Sequence, residues 1–150
     1  RTDISAVFPR RGLEKHQAAG FFVRIHPEGT ELIAGSYMPG PDELRAIRAY
    51  LASHHAEFLR LSTGRALNAA FGPLLGERLV RVPAPHAADH PAADLLRLKQ
   101  FFRRRLIGVQ TTTSPTLVKE ITAAFRAATP FVEAIDAAIG NCESRSDSAQ

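Results

Sequence analysis

The segment from Gly20 to Tyr37 constrains the fold of this chain more than any other stretch. Residues 20–26, GFFVRIH, are rich in aromatic and β-branched residues, and a second strand-like run covers residues 31–37. Between them lies the turn sequence PEGT, in which Gly29 is able to take a positive φ. Because a short turn between two strands requires antiparallel pairing, the sequence predicts a β-hairpin and with it an antiparallel sheet.

Three further segments read as strands. Residues 4–8 alternate apolar residues with polar or small ones, and residues 78–82 form a short apolar-rich run. Residues 101–109, FFRRRLIGV, also favour a strand, although a helix could carry the same three arginines. With the hairpin, these segments give a sheet of about four to five strands.

Helices are predicted where apolar residues recur at helical spacing. One begins at Pro41, with Asp42 in its first turn, where the helix dipole favours acids. A break is expected at His54 and His55, followed by a second short helix over residues 56–61. Residues 62–76 read as a loop with one helical turn, and another helix is expected from Pro91 to about residue 98.

The C-terminal third predicts a pair of helices. Residues 111–114 form a linker in which Ser114 is a good N-cap before Pro115. An apolar stripe follows, Pro130 restarts the helix, and Gly140 closes it. The sequence therefore predicts a single α+β domain over residues 1–140, in which helices pack on one face of a mostly antiparallel sheet. Residues 141–150 are expected to be a disordered polar tail.

Composition narrows the class of protein. The 150 residues, 45% of them hydrophobic and 23% charged, suit one globular domain, and no apolar run approaches the roughly 20 residues of a membrane helix. The lone Cys142 cannot form an internal disulfide and favours a reducing compartment, so the protein is predicted to be cytoplasmic. A net charge of +4 permits an anionic ligand or nucleic acid, but 15 acids among 19 bases suit an ordinary solvated surface equally well.

The loop over residues 83–90 is the first candidate site. His86, Asp89 and His90 are the one cluster with acid–base character, because imidazole transfers protons near neutral pH and a carboxylate can orient it. Pro85 and Pro91 exclude a continuous helix there, so the spacing is not a helical zinc motif, and no metal or cofactor is predicted. The alternative is structural: Asp89 or His90 caps the next helix and His86 is solvated.

Basic residues beside this loop form a second candidate site. The N–H groups at the start of the helix after Pro91 could hold an anion, with countercharge from four nearby bases: Arg81, Lys99, Arg103 and Arg105. On a strand, the last two of these share one face. The alternative is that one face of this strand is solvated and the other pairs with acids such as Glu31 or Glu77. No nucleophile elbow, P-loop or dinucleotide-binding glycine motif is present in the sequence.

Four sequence segments follow one another in the chain: GFFVRIHPEG, AGSYMPGPDELRAIR, GERLVRVP and DHPAADLLRLKQFF. Together they resemble the bacterial and fungal family known as domain of unknown function 2461, over nearly all of residues 1–140. The resemblance implies an α+β fold and brings no established activity. It also implies a further N-terminal region in which Arg1 and Thr2 would be the last residues, so the chain is expected to lack its N-terminal portion. One departure is the absence of a glycine soon after Val82 and Pro83.

Two functions follow as hypotheses. The first is an anion-binding or interaction module. The second is an enzyme with acid–base or hydrolytic chemistry at the loop of His86, Asp89 and His90, completed by the missing N-terminal segment. The first predicts that the four bases converge on one patch, and the second predicts a pocket where a histidine meets a carboxylate.

Overall fold

A four-stranded antiparallel sheet forms the frame of the protein. The computed structural model describes residues 3–9 and 19–147, so most of the predicted loop over residues 10–20 lies outside the described residues. The strands are β1 (Ile4–Pro9), β2 (Gly20–His26), β3 (Gly29–Ser36) and β4 (Phe101–Gly108). They lie in the order β1-β2-β3-β4, and each pairs antiparallel with its neighbour. The predicted α+β class and antiparallel sheet are confirmed.

The β2–β3 hairpin turns at Gly29, as the sequence predicts. Gly29 has φ +146°, a backbone conformation that side chains disfavour. It also pairs with Gly108 of β4, and a Cβ built on it would lie 2.3 Å from the carbonyl oxygen of Ile107. The glycine is therefore required both by the turn and by the close approach of β4.

Two long helices cover one face of the sheet. Helix α1 (Pro41–Ser62) has non-helical angles at His54, φ −131° and ψ 27°, so the predicted break is confirmed as a kink. The last long helix (Leu117–Asp147) contacts β2 and β3 and packs against α1. The core between these elements consists of large, fully buried side chains, among them Leu32, Ile47, Leu51, Phe58, Phe101, Phe131, Ile135 and Ile139.

The last long helix is continuous where the sequence predicts two. It runs through Pro130 and past Gly140, so the predicted helix end at Gly140 is wrong. Pro130 itself is exposed. The buried stripe that includes Ala128, Phe131 and Ile135 continues across the proline, and this packing offsets the lost backbone hydrogen bond. Residues 148–150 lie outside the described residues.

The segment between α1 and β4 is mostly irregular. It contains α2 (Arg65–Ala70) and the four-residue α3 (Ala93–Leu96), and the short α4 (Val109–Thr112) follows β4, so the long C-terminal helix is α5. The helix predicted from Pro91 to residue 98 is thus much shorter than expected.

The predicted strand over residues 78–82 is wrong. The segment makes one isolated bridge, between Arg78 and Leu98, and Val80 is 91% exposed. The outer edge of β4 is already occupied by Leu75, which bridges Phe102, so residues 78–82 find no strand to join. Pairing with residues 97–99 in turn ends α3 after one turn, because the carbonyl of residue 97 accepts a hydrogen bond from the N–H of residue 79.

No helix in the described part of the chain is long and apolar enough to cross a membrane.

Candidate functional site

His90 accepts two hydrogen bonds at the start of α3. Its Nδ1 accepts a hydrogen bond from the N–H of Ala92 at 2.9 Å, and its carbonyl oxygen accepts one from the N–H of Ala93 at 2.9 Å. Because Nδ1 accepts, the neutral ring carries its proton on Nε2. Both N–H groups that the sequence offers to an anion are therefore used within the loop.

Three histidines gather at this loop. The ring of His90 lies 6.2 Å from that of His86 and 6.0 Å from that of His55, measured between centroids. His55 comes from α1, one residue after the kink, and its buried Nδ1 has no hydrogen-bond partner among residues 3–9 and 19–147. The sequence did not reveal His55 as a member of this cluster, because the contact joins a helix to a loop 35 positions later and leaves no local pattern.

Asp89 stands apart from the histidines. Its side chain is exposed, and within residues 3–9 and 19–147 it makes no hydrogen bond to His86 or to His90. Over the same residues, no group of three or more His, Cys, Asp and Glu side chains has the geometry to hold a metal ion. The loop thus brings imidazoles together without a carboxylate to orient them.

Arg103 has a structural environment. The residue is 3% exposed, and its Nε donates to the carbonyl oxygen of Gly72 at 2.7 Å. Its Nη2 donates to Oδ1 of Asn68 at 2.6 Å, and its Nη1 donates to the carbonyl oxygen of Ser62. Burial lowers the pKa of the guanidinium from its ordinary value. Arg103 therefore ties β4 to the α1–α2 region and has little left to offer an external anion.

Two of the other three predicted anion-binding residues also have partners inside the chain. Arg105 lies on the helix side of β4 and pairs with Glu120 of α5 at 3.0 Å. Lys99 pairs with Glu77 at 3.5 Å. Arg81 is exposed and has no ion pair in the described part of the chain. The structure thus gives an internal role to most of the predicted anion site.

The face of the sheet turned away from α5 forms a separate surface. Strand alternation and the register place eight large side chains on it, which we call the open face: Val7, Phe22, Arg24, Glu31, Ile33, Phe102, Arg104 and Leu106. No helix of the described residues packs on this side. Leu106 is 64% exposed and Val7 is 44% exposed, so apolar groups on the open face meet solvent.

Charges alternate across the open face. Asp3, just before β1, pairs with Arg24 of β2 at 3.4 Å. Glu31 of β3 lies directly opposite Arg24 and pairs with Arg104 of β4 at 2.7 Å. The four strands thus carry a row of negative, positive, negative and positive groups, which we call the charge row.

The end of the open face near α1 is aromatic. The Tyr37 and Phe102 rings meet edge to face with centroids 4.9 Å apart. Tyr37 is 50% exposed and the adjacent Met38 is 67% exposed. Apolar surface therefore extends from the centre of the sheet to this end.

Comparison with known proteins gives one finding. A family model described as "Conserved hypothetical protein (DUF2461)" matches residues 1–133. No curated protein and no solved structure matches the chain.

Proposed function

The chain belongs to the DUF2461 family, and from this premise we propose that it is an interaction module that docks a partner on the open face of its sheet. The observation that carries the proposal is the exposure of apolar side chains on that face, Leu106 at 64% and Val7 at 44%. On the other side of the sheet the central strands are covered, where Leu32 and Phe101 are 0% exposed, whereas Ile4 and Phe8 of β1 are 69% and 53% exposed.

The apolar content of the open face favours docking. Contiguous apolar patches beyond a few hundred Å² are uncommon on proteins that act alone, and they mark interaction sites. Removing a Leu or Val side chain from water contributes about 1.5–3 kcal/mol, so a partner covering Val7, Ile33 and Leu106 would gain substantial free energy.

The charges on this face favour a partner that binds in one defined orientation. Ion pairs as exposed as Asp3–Arg24, whose side chains are 33% and 45% exposed, contribute little to folding. Charges placed across an interface instead fix the register of two proteins and exclude wrong partners. The anion-binding form of the module is less well supported, because Lys99, Arg103 and Arg105 already have partners within the chain.

Photo-cross-linking tests the proposal. A photoreactive residue at position 106 is expected to form covalent adducts of higher mass in cells, because a docked partner covers Leu106. The matched control is position 118 on α5, where Val118 is 72% exposed outside the open face. Equal adduct yields at both positions, or none at position 106, would contradict the proposal.

Acid–base chemistry at the loop of His86, Asp89 and His90 is a second candidate function. The arrival of His55 beside His90 favours it, because neighbouring imidazoles can pass a proton between them. A panel of chromogenic ester and phosphoester substrates tests its hydrolytic form. Turnover that is lost in His86→Ala would support it, and no turnover of any substrate would exclude hydrolysis of these classes.

A further inference from the structure

We propose that the occupant of the open face is a second copy of this chain, so that two molecules join sheet to sheet about a two-fold axis. This inference rests on the proposed function and adds the identity of the partner. It is carried by the symmetry of the charge row and of the apolar residues beside it.

The centre of the charge row, formed by Arg24 and Glu31, is complementary to itself. The order of the row is Asp3, Arg24, Glu31 and Arg104, alternating in sign. A two-fold axis parallel to the strands and midway between β2 and β3 reverses this order in the second copy. Arg24 then faces the partner's Glu31 and Glu31 faces the partner's Arg24, so that these central contacts join opposite charges, while Asp3 and Arg104 lie two residues away along the strands in opposite directions and meet no like charge. Each contact occurs twice, as the isologous interface of a two-fold dimer requires.

The apolar residues obey the same symmetry. Val7, Phe22 and Ile33 are successive partners in the strand register and form a row beside the charges. The axis that matches the charges also places Phe22 opposite the partner's Ile33. Apolar groups therefore meet at the centre of the interface, while charges meet apolar groups only at its margin, where the Arg104 stem faces the partner's Val7.

The composition of the charge row disfavours a polyanion, such as a nucleic acid, as the occupant of the open face. Two acids stand among its two bases, so a nucleic acid backbone would meet the carboxylates of Asp3 and Glu31 along with the guanidinium groups. A second copy meets no like charge in the row.

The size of the open face sets the expected affinity. Four strands spaced about 4.8 Å apart and roughly seven residues long give a face of about 19 Å by 23 Å, or about 440 Å² before side-chain relief. This lies at the small end of specific interfaces, which bury about 800 Å² per partner at standard size. We therefore expect reversible association with a dissociation constant of roughly micromolar order.

Charge exchange tests the pairing directly. Wild-type protein is expected to dimerise in sedimentation velocity runs at micromolar to submillimolar concentrations. Arg24→Glu places a carboxylate against the partner's Glu31, and Glu31→Arg places a guanidinium group against the partner's Arg24. Each variant alone should self-associate at least about 100-fold more weakly, because like charges face each other twice. An equimolar mixture of the two variants should regain association as a mixed dimer.

Controls separate this result from misfolding. Circular dichroism melts report whether each variant is folded, and Arg126→Glu makes the same charge change on an exposed position of α5. That control should dimerise as wild type does. Leu106→Glu, at a position 64% exposed, provides a second disruption of the interface without changing the charge row.

The possible outcomes distinguish the two proposals. A monomeric wild type with adducts of a foreign mass at position 106 would overturn the second-copy inference and leave the interaction module standing. A monomer without adducts would remove both. A dimer that both charge variants leave intact, or a mixture that fails to associate, would overturn the pairing proposed here. Binding of a single-stranded oligonucleotide that Arg24→Glu abolishes, with a monomeric wild type, would identify nucleic acid as the occupant instead.

Discussion

Arg103 and Arg104 are adjacent in the sequence, and strand alternation gives them opposite surroundings. Arg103 is buried beneath the helices with three hydrogen-bond partners, whereas Arg104 lies on the open face with Glu31. The acceptors of Arg103 lie 31, 35 and 41 positions away. No local pattern reveals such contacts, so the sequence predicted Arg103 as a ligand-binding residue although its donors are used for the fold.

Arg103→Ala should destabilise the protein by about 3 kcal/mol or more, because it leaves the buried carbonyl of Ser62 and the part-buried hydrogen bonds to Gly72 and Asn68 without a donor. Urea unfolding followed by circular dichroism measures the change. The control is Arg45→Ala, which removes an exposed ion pair with Asp42 on α1 and should cost less than about 1 kcal/mol. Similar losses for the two variants would show that the buried hydrogen bonds of Arg103 do not stabilise the fold.

His90 offers a second test at the scale of one side chain. His90→Ala removes the acceptor for the N–H of Ala92 and should lower the free energy of unfolding by about 1 kcal/mol. His90→Asn keeps a side-chain oxygen able to accept the N–H of Ala92 and should recover most of that loss. Urea unfolding of the two variants measures the difference. If both lost the same amount, packing against His55 and His86 would be the main role of the ring rather than the hydrogen bond to Ala92.

At the scale of helices and strands, the sequence predicted correctly the features that depend on residues adjacent in the chain. Pro41 and Asp42 marked the start of α1, and Gly29 marked the hairpin turn, because these residues act through their own backbone or the adjacent turn. Predictions failed where contacts between residues distant in the sequence determine the structure. Gly140 lies inside α5 rather than at its end. Residues 78–82 form no strand, because the edge of β4 is already occupied.

Glycine substitutions in two elements should have opposite effects. Gly29→Ala should destabilise the hairpin by about 1–3 kcal/mol, because φ is +146° and the new Cβ would clash with the carbonyl oxygen of Ile107. Gly140→Ala should stabilise α5 by about 0.5–1 kcal/mol, since its position is helical and a Cβ there meets nothing within 4 Å. Thermal unfolding measures both. Destabilisation by Gly140→Ala would contradict the continuation of α5 through this residue.

At the scale of the whole molecule, helices pack on one face of the sheet, and none of the described helices packs on the other. Packing of helices on one face was predicted, but the residues of the open face were not. Alternation marks Phe21, Val23 and Ile25 as the buried side of β2, but the pairing register that places Val7, Ile33 and Leu106 on the same face as Phe22 joins strands distant in the sequence and leaves no local pattern. The surface that we propose as functional was therefore not visible in the sequence.

The self-association proposed for the open face should weaken with salt. Raising the ionic strength from about 0.01 M to about 1 M shortens the Debye length from roughly 30 Å to roughly 3 Å and screens the charge row. The dissociation constant should rise several-fold without loss of the dimer, because the apolar contacts remain. Sedimentation equilibrium across a salt series measures this, with Arg126→Glu as a control expected to show a similar slope. A constant affinity across the series would mean that the charge row does not contribute.

The two edges of the sheet have different consequences for growth into fibrils. The outer edge of β4 is occupied, since the N–H of Gly72 donates to the carbonyl of Arg104 at 3.1 Å and that of Leu75 donates to Phe102 at 2.8 Å. In the described part of the chain, the outer edge of β1 carries no such pairing. Among the described residues, strand addition by another molecule therefore has one open edge, and two molecules joined through it would leave no such edge for a third. Residues 72–75, which pair with the outer edge of β4, thus prevent cross-β polymerisation at that edge.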